Sequence, residues 1–169
     1  MTHRQLWMTV VCLCGMALSG CGFHPREELA IPAGLGPVRV VSGDAYSPLG
    51  ESLARALTRA GAPAAQPTDT HVATLRVVSE TWQQGPLSID AFSHAREDIV
   101  TYTVKFSLTS ADNRDVSPLQ EIRLQRDFVY DDAHALGTTE EQGTIHEDLQ
   151  RDMAASIIRR IGIALRNFK

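Results

Sequence analysis

The chain has 169 residues, 16 Lys and Arg against 20 Asp and Glu, and a formal net charge of −4 at pH 7. This length accommodates one domain of ordinary size, and nothing in the composition calls for a second. The mild acidity and the scattered basic residues exclude the positive surface that a nucleic-acid-binding protein needs.

The N-terminus has the pattern of an export signal. Arg4 supplies a positive charge, and the apolar run from Leu6 to Leu18 is shorter than the about 20 residues that a transmembrane helix needs. The residues Leu-Ser-Gly-Cys at 18–21 have the form of a bacterial lipobox, in which the cysteine becomes the first mature residue and carries acyl chains. We therefore predict a signal peptide over residues 1–20 and lipidation of Cys21.

Cys21 would be the only cysteine of the mature chain, and its lipidation would leave no free thiol. Cys12 and Cys14 would leave with the signal peptide, so disulfides, a catalytic cysteine and a thiolate metal site are all excluded. The covalent lipid is then the one non-protein group that we expect, with no cofactor and no metal. Residue 22 is Gly and not the Asp that resembles an inner-membrane retention signal, which favours an outer-membrane, periplasm-facing location.

Residues 21–36 are predicted to be a tether, and residues 37–169 a single domain. A short strand over 37–41 is rich in β-branched residues. Ser47 and Pro48 then have the pattern of a helix start, with Gly61 as its stop and an apolar face that recurs at helical spacing: Leu49, Leu53, Ala56, Leu57 and Ala60.

Three further strands are predicted after this helix. The first runs near 72–82, and the second, over 99–109, alternates apolar and polar residues most clearly. Residues 112–115 supply a turn into the third, over 122–130, so that the last two strands form a hairpin. Arg126 interrupts the apolar positions of the third.

The chain ends in a long predicted helix. Thr139 is its expected N-cap, with Gln142 completing a capping box. One apolar stripe runs along it: Ile145, Leu149, Met153, Ile157, Ile161, Leu165 and Phe168. The whole pattern predicts an α/β two-layer sandwich in the order strand-helix-strand-strand-strand-helix, with both helices on one face of a mixed four-stranded sheet. The other face of the sheet is expected to be polar, and either wet or against a partner.

The chain shows no pattern of a catalytic or metal site. His94 and His134 lie beside acidic residues, but with no spacing such as H-E-x-x-H, and the Walker, Rossmann and nucleophile-elbow motifs are missing. We therefore predict no enzymatic activity. Cations on or beside the polar sheet face could pair with a phosphate, and the candidates are Arg96, Lys105 and Arg123.

Three stretches resemble the LptE family of lipopolysaccharide-assembly lipoproteins. They are Cys-Gly-Phe-His at 21–24, Arg-Asp-Phe at 126–128 with Ala-Leu at 135–136, and the last helix from Glu141 through Ile161. The order of elements matches as well. Pro25 departs from the hydrophobic residue expected there, and the acidic pair at 147–148 stands where members can present a basic residue.

The resemblance implies a non-enzymatic subunit that sits within the lumen of the β-barrel lipopolysaccharide translocon, LptD, and plugs it. It further implies help in barrel assembly and in inserting lipopolysaccharide at the outer membrane, which makes Arg96, Lys105 and Arg123 the candidate contacts for lipopolysaccharide or a partner. A polar sheet face suits such a plug, because the lumen of a large barrel is polar. Two alternatives stay open: a general envelope lipoprotein that scaffolds other partners, and an anchored periplasmic hydrolase using His94 or His134.

Overall fold

The computed structural model describes residues 31, 35–44, 46–89, 95–129 and 135–168. Its elements are, in chain order, β1 (Val38–Ser42), α1 (Pro48–Arg59), β2 (Ala73–Ile89), β3 (Ala95–Thr109), β4 (Asp115–Val129) and α2 (Ala135–Asn167). This is the predicted order, and the predicted α/β two-layer class is confirmed.

The sheet has the spatial order β1-β2-β3-β4. β1 pairs with β2 in parallel, whereas β2–β3 and β3–β4 are antiparallel. A parallel pair needs a crossover connection, and α1 provides it between β1 and β2. Residues 63–65 lie along the outer edge of β1, where the N–H of Val38 donates to the carbonyl of Pro63 at 2.9 Å.

Helix α1 forms as its sequence predicts. The Ser47 hydroxyl oxygen accepts a hydrogen bond from the N–H of Gly50 at 3.2 Å, and Pro48 occupies the first turn, where its missing N–H costs nothing. The chain leaves the helix through Gly61 at φ +92°, a left-handed conformation that favours glycine. The inward face is buried at Leu49, Leu53 and Leu57.

Both helices cover the same face of the sheet. Every second residue of β3 from Val100 to Leu108 is buried on that face. Above it, α2 buries Leu149, Met153, Ile157, Ile161 and Leu165. Burial of apolar side chains at about 25 cal/mol per Å² is the main source of stability for such a two-layer core.

The strands are longer than predicted, because pairing extends them beyond their apolar positions. β2 continues to Ile89 and carries a bulge between Val77 and Ser79. β4 begins at Asp115, directly after a tight turn in which Asn113 has φ 58° and the N–H of Ser110 donates to the carbonyl of Arg114 at 2.8 Å. Asparagine tolerates this left-handed conformation better than most residues.

The predicted N-cap of the last helix is wrong. Helix α2 begins at Ala135, so Thr139 lies inside it. Ala135 and Leu136 are strong helix formers, and a helix can run through a capping motif when the residues before it also favour helix. The apolar stripe itself is confirmed, with Ile145 and Phe168 half-buried at its two ends.

Part of the predicted tether packs into the core. Ile31 and Leu35 are each only 7% exposed, and the N–H of Ile31 donates to the carbonyl of Ala60 at 2.9 Å. Cys21 and the rest of residues 1–30 lie outside the described residues, so the domain boundary at residue 37 stays a prediction. In the described ranges, neither helix is long and apolar enough to span a bilayer.

Candidate functional site

The sheet face opposite the two helices is the candidate site, and we call it the open face. Strand alternation and register define it, because side chains next to a buried residue point to the opposite side. On β3 and β4 it carries Thr101, Thr103, Lys105, Ser107, Glu121, Arg123, Gln125 and Asp127. The predicted polar face is therefore present, and hydroxyl, amide and charged groups dominate it.

Two of the predicted contact residues meet on the open face. Lys105 lies opposite Glu121 in the β3–β4 register, with 3.7 Å between the Lys105 Nζ and a Glu121 carboxylate oxygen. Arg123 Nη2 approaches the second oxygen of the same carboxylate at 3.3 Å. The three side chains are between 43% and 60% exposed, so water weakens both ion pairs and the cations can exchange partners.

The other residues singled out from the sequence do not join them. The backbone of Arg96 lies in β3, but its side chain, like the whole of His94 and His134, falls outside the described residues. Arg126 projects to the helix side of β4, where its Nη2 donates to a carboxylate oxygen of Asp152 on α2 at 3.1 Å. The residue that interrupts the apolar positions of β4 therefore ties that strand to the last helix.

A hydrogen-bonded cluster on the helix side was not predicted. Glu80 of β2 lies at its centre: one carboxylate oxygen accepts from the Ser47 hydroxyl at 2.6 Å and from the Ser42 hydroxyl at 3.4 Å. The other oxygen accepts from the hydroxyl of Tyr102 at 2.7 Å. One side chain thereby connects β1, the start of α1, β2 and β3.

The electrostatics of this cluster are those of a buried phenol beside a carboxylate. Burial raises the pKa of the Tyr102 hydroxyl above its ordinary value of 10.0, and the hydrogen bond to Glu80 and the negative charge of Glu80 raise it further. Tyr102 is fully buried, so Glu80 supplies the acceptor that its hydroxyl needs. The arrangement is that of a structural hydrogen bond in which the proton stays on the phenol.

Aromatic rings extend the cluster towards α2. The Trp82 ring stacks on Tyr102 at a centroid distance of 3.8 Å, and His146 of α2 meets Trp82 edge-on at 4.5 Å. An open cleft of about 400 Å³ lies beside them, with Glu80, Trp82 and Gln150 in its wall. The sequence carried a weak signal for this cluster, a carboxylate and a tryptophan two residues apart in a predicted strand.

None of this geometry forms a reaction centre. Within the part of the chain that the structure describes, no three His, Cys, Asp or Glu side chains come together to hold a metal ion. The hydroxyls of Ser42 and Ser47 both donate to the Glu80 carboxylate. Among the described residues, no histidine accepts a hydrogen bond from either hydroxyl, as the base of a nucleophilic serine would. The chemistry available on the open face is hydrogen bonding and charge pairing.

The fold is that of a class of bacterial lipoproteins. The rare lipoprotein B of Shewanella oneidensis superposes with a TM-score of 0.68 over 78% of this chain and 97% of that chain, at 18% identity. The solution structure of uncharacterized lipoprotein B from Nitrosomonas europaea has a TM-score of 0.70 over 83% of this chain and 90% of that chain, at 26% identity.

Sequence comparison narrows the class to a family. The family model LptE, lipopolysaccharide-assembly, matches residues 35–161. Two relatives named LPS-assembly lipoprotein LptE are similar to this chain. The relative from Photorhabdus laumondii is 26% identical over 95% of this chain and 87% of its own length. The relative from Pectobacterium atrosepticum is 25% identical over 95% of this chain and 86% of its own length. This chain belongs to the LptE family, whose members are non-enzymatic lipoproteins of lipopolysaccharide assembly.

Proposed function

We propose that this chain is lipidated at Cys21, faces the periplasm from the outer membrane, and partners an LptD-like β-barrel there. It occupies and plugs the barrel lumen, supports barrel assembly and assists the insertion of lipopolysaccharide. The observation that carries the proposal is the family match over nearly the whole folded domain, residues 35–161.

The open face supports this role physically. A water-filled barrel lumen is lined by polar groups, so a plug exposed to it needs a polar surface. The open face provides hydroxyls and amides along β3 and β4, and Gln125 Nε2 donates to the Thr101 hydroxyl at 3.1 Å. A sheet face of this kind can border an aqueous channel without exposing an apolar patch.

Affinity capture from detergent-extracted outer membranes tests the partner. We expect the tagged full-length chain to retain a large β-barrel that mass spectrometry identifies as LptD-like, while an unrelated outer-membrane lipoprotein with the same tag retains none. Recovery of the chain without such a barrel, under conditions that keep other outer-membrane complexes intact, would refute the partner assignment.

A further inference from the structure

A groove of about 400 Å³ lies between α1 and α2, in the layer opposite the open face. Its floor is formed by small and apolar side chains, among which Ala154 and Ile158 of α2 are buried. Its walls carry three arginines: Arg55 and Arg59 on α1 and Arg151 on α2. We call it the interhelical groove, and it combines an apolar floor with positively charged walls.

The arginines of the two walls are only partly neutralised. Arg55 pairs with Glu51 at 3.1 Å and Arg151 with Asp148 at 2.9 Å, in pairs whose side chains are between 46% and 71% exposed. Arg59, by contrast, pairs with no carboxylate of a described residue. Because water weakens exposed ion pairs, the groove can accept further negative charge, above all at its Arg59 end.

The chain enters the domain at this same end of the groove. The N–H of Ile31 donates to the carbonyl of Ala60 at 2.9 Å, one residue after Arg59, and the Ile31 side chain is buried. The residues that precede Ile31 therefore begin beside the end of α1. The last few of them lie within reach of the arginines, whichever way the chain continues towards Cys21.

The sequence just before Ile31 complements the interhelical groove in charge. Residues 26–29, outside the described ranges, read Arg-Glu-Glu-Leu. Three extended residues cover about 10 Å, and Arg55 and Arg59 lie one helical turn, about 6 Å, apart, so both glutamates can come within a side chain's length of the arginines. Successive side chains of an extended segment point to opposite sides, which directs one glutamate to each wall.

We propose that residues 26–30 dock in the interhelical groove, with Glu27 and Glu28 against its arginines and Leu29 on its apolar floor. Exposed ion pairs are individually weak, so the charges fix the position of the segment while burial of Leu29 adds to its affinity. The segment is joined covalently to the domain, and its effective concentration at the groove is therefore high. Modest contacts are enough to hold it there.

Docking of this segment determines where the lipid leaves the domain. The chain then runs beside α1 in the same direction as the helix, and Cys21 lies five residues before Arg26, at most about 18 Å beyond the groove. The anchor thus departs from the side on which α1 begins, which restricts how the domain can turn relative to the membrane. This consequence rests on the proposed lipidation of Cys21, whereas the docking does not.

Crosslinking between two introduced cysteines tests the docked position. An acylated Cys21 has no free thiol, so in the lipidated chain, isolated in detergent, only the introduced thiols react with a short bismaleimide. Arg26→Cys is combined with Ser52→Cys, in the groove, or with Ala54→Cys as the matched control. Both sites on α1 are half-buried, and they lie about 200° apart around the helix.

We expect the pair with Ser52→Cys to crosslink about tenfold faster than the pair with Ala54→Cys, because docking raises the effective concentration of the tether on one side of α1 only. An undocked tether reaches both sides of the helix. Equal rates, or a faster reaction at Ala54→Cys, would overturn the proposal.

Charge reversal tests the ion pairs separately. Glu27→Lys with Glu28→Lys should slow crosslinking at Ser52→Cys about fivefold, and Arg55→Glu with Arg59→Glu should slow it to a similar extent. The chain that combines all four reversals regains opposite charges, so its rate should return to within about twofold of the parent. Further slowing in this chain, with circular dichroism and thermal midpoint unchanged, would refute pairing between the tether and α1.

Two controls separate the docking from net charge and from lipidation. Arg159 of α2 lies outside the groove lining and donates to the Ser156 hydroxyl at 2.8 Å, so Arg159→Glu should leave the crosslinking rate unchanged. Cys21→Ala should abolish membrane attachment and retain the crosslink. A lipidated chain without the crosslink would refute docking alone, and a crosslink that disappears when phosphatidylglycerol is added to the micelles would assign the groove to an anionic lipid and overturn the proposal.

Discussion

Replacing Glu80 with alanine is the most informative perturbation of this fold, because one side chain satisfies hydroxyls from three other parts of the structure. The variant leaves the buried Tyr102 hydroxyl without its acceptor at 2.7 Å and removes the acceptor at 2.6 Å from Ser47. The Ser47 hydroxyl still caps α1 through the N–H of Gly50. The loss therefore falls mainly on the connection between β2 and β3.

The expected magnitude follows from burial. A buried hydroxyl left unsatisfied costs about 1–3 kcal/mol, and each of the partly exposed hydrogen bonds contributes about 0.5–1.5 kcal/mol. We expect the free energy of unfolding to fall by about 3 kcal/mol. For a domain of this size, that corresponds to a decrease in the thermal midpoint of about 6–12 °C.

A double-mutant cycle isolates the Tyr102 contact. In a Tyr102→Phe background there is no phenolic hydroxyl to leave unpaired, so Glu80→Ala should cost about 1–2 kcal/mol less. Urea unfolding followed by far-ultraviolet circular dichroism and by the fluorescence of Trp82, which stacks on Tyr102, measures each corner. Glu51→Ala is the matched control, because its side chain is 68% exposed and, among the described residues, its carboxylate pairs only with Arg55 in the next turn. Additive costs, or a Glu80→Ala variant as stable as the control, would refute the reasoning.

Three further predictions concern the anchor, the core and the response to pH. Cys21→Ala should release the chain from membranes on fractionation, and membrane retention of this variant would contradict lipidation. Leu53→Ala should cost about 2–5 kcal/mol in urea unfolding, since Leu53 is fully buried, whereas Arg126→Gln should cost under about 1 kcal/mol because its pair with Asp152 is half exposed. The raised pKa of Tyr102 means that the unfolded chain loses a proton near pH 10.0 that the folded chain keeps; stability should therefore fall above that pH by at most about 1.4 kcal/mol per unit, and less steeply in Tyr102→Phe.

Elements with a continuous pattern could be predicted from the sequence. β3 alternates without interruption from Val100 to Leu108, and α1 carries its own start and stop signals in Ser47 and Gly61. In these segments burial and local propensity point the same way, so the pattern specifies the element. The stripe of α2 was predicted for the same reason.

Strand ends and the start of α2 could not be predicted, because they depend on pairing and packing. β2 runs to Ile89 because β3 offers it a partner as far as Ala95, and no alternation marks residues 83–89 as strand. The candidate site on the open face could likewise be predicted only in part. Lys105 and Arg123 could be proposed individually from the pattern of their strands, but the carboxylate of Glu121 that they share follows only from the strand register.

The bulge in β2 explains why Arg76 and Glu80, which lie on the same strand, point to opposite faces of the sheet. Arg76 and Glu80 lie four positions apart, so an unbroken strand would place both on the open face, and the Glu80 carboxylate would share that face with Lys105 and Arg123. The extra residue between Val77 and Ser79 reverses the alternation. Glu80 therefore turns to the helix side, where Tyr102 and Ser47 need an acceptor, while Arg76 stays on the open face. A single inserted position thus keeps a carboxylate that stabilises the core away from the cations of the open face.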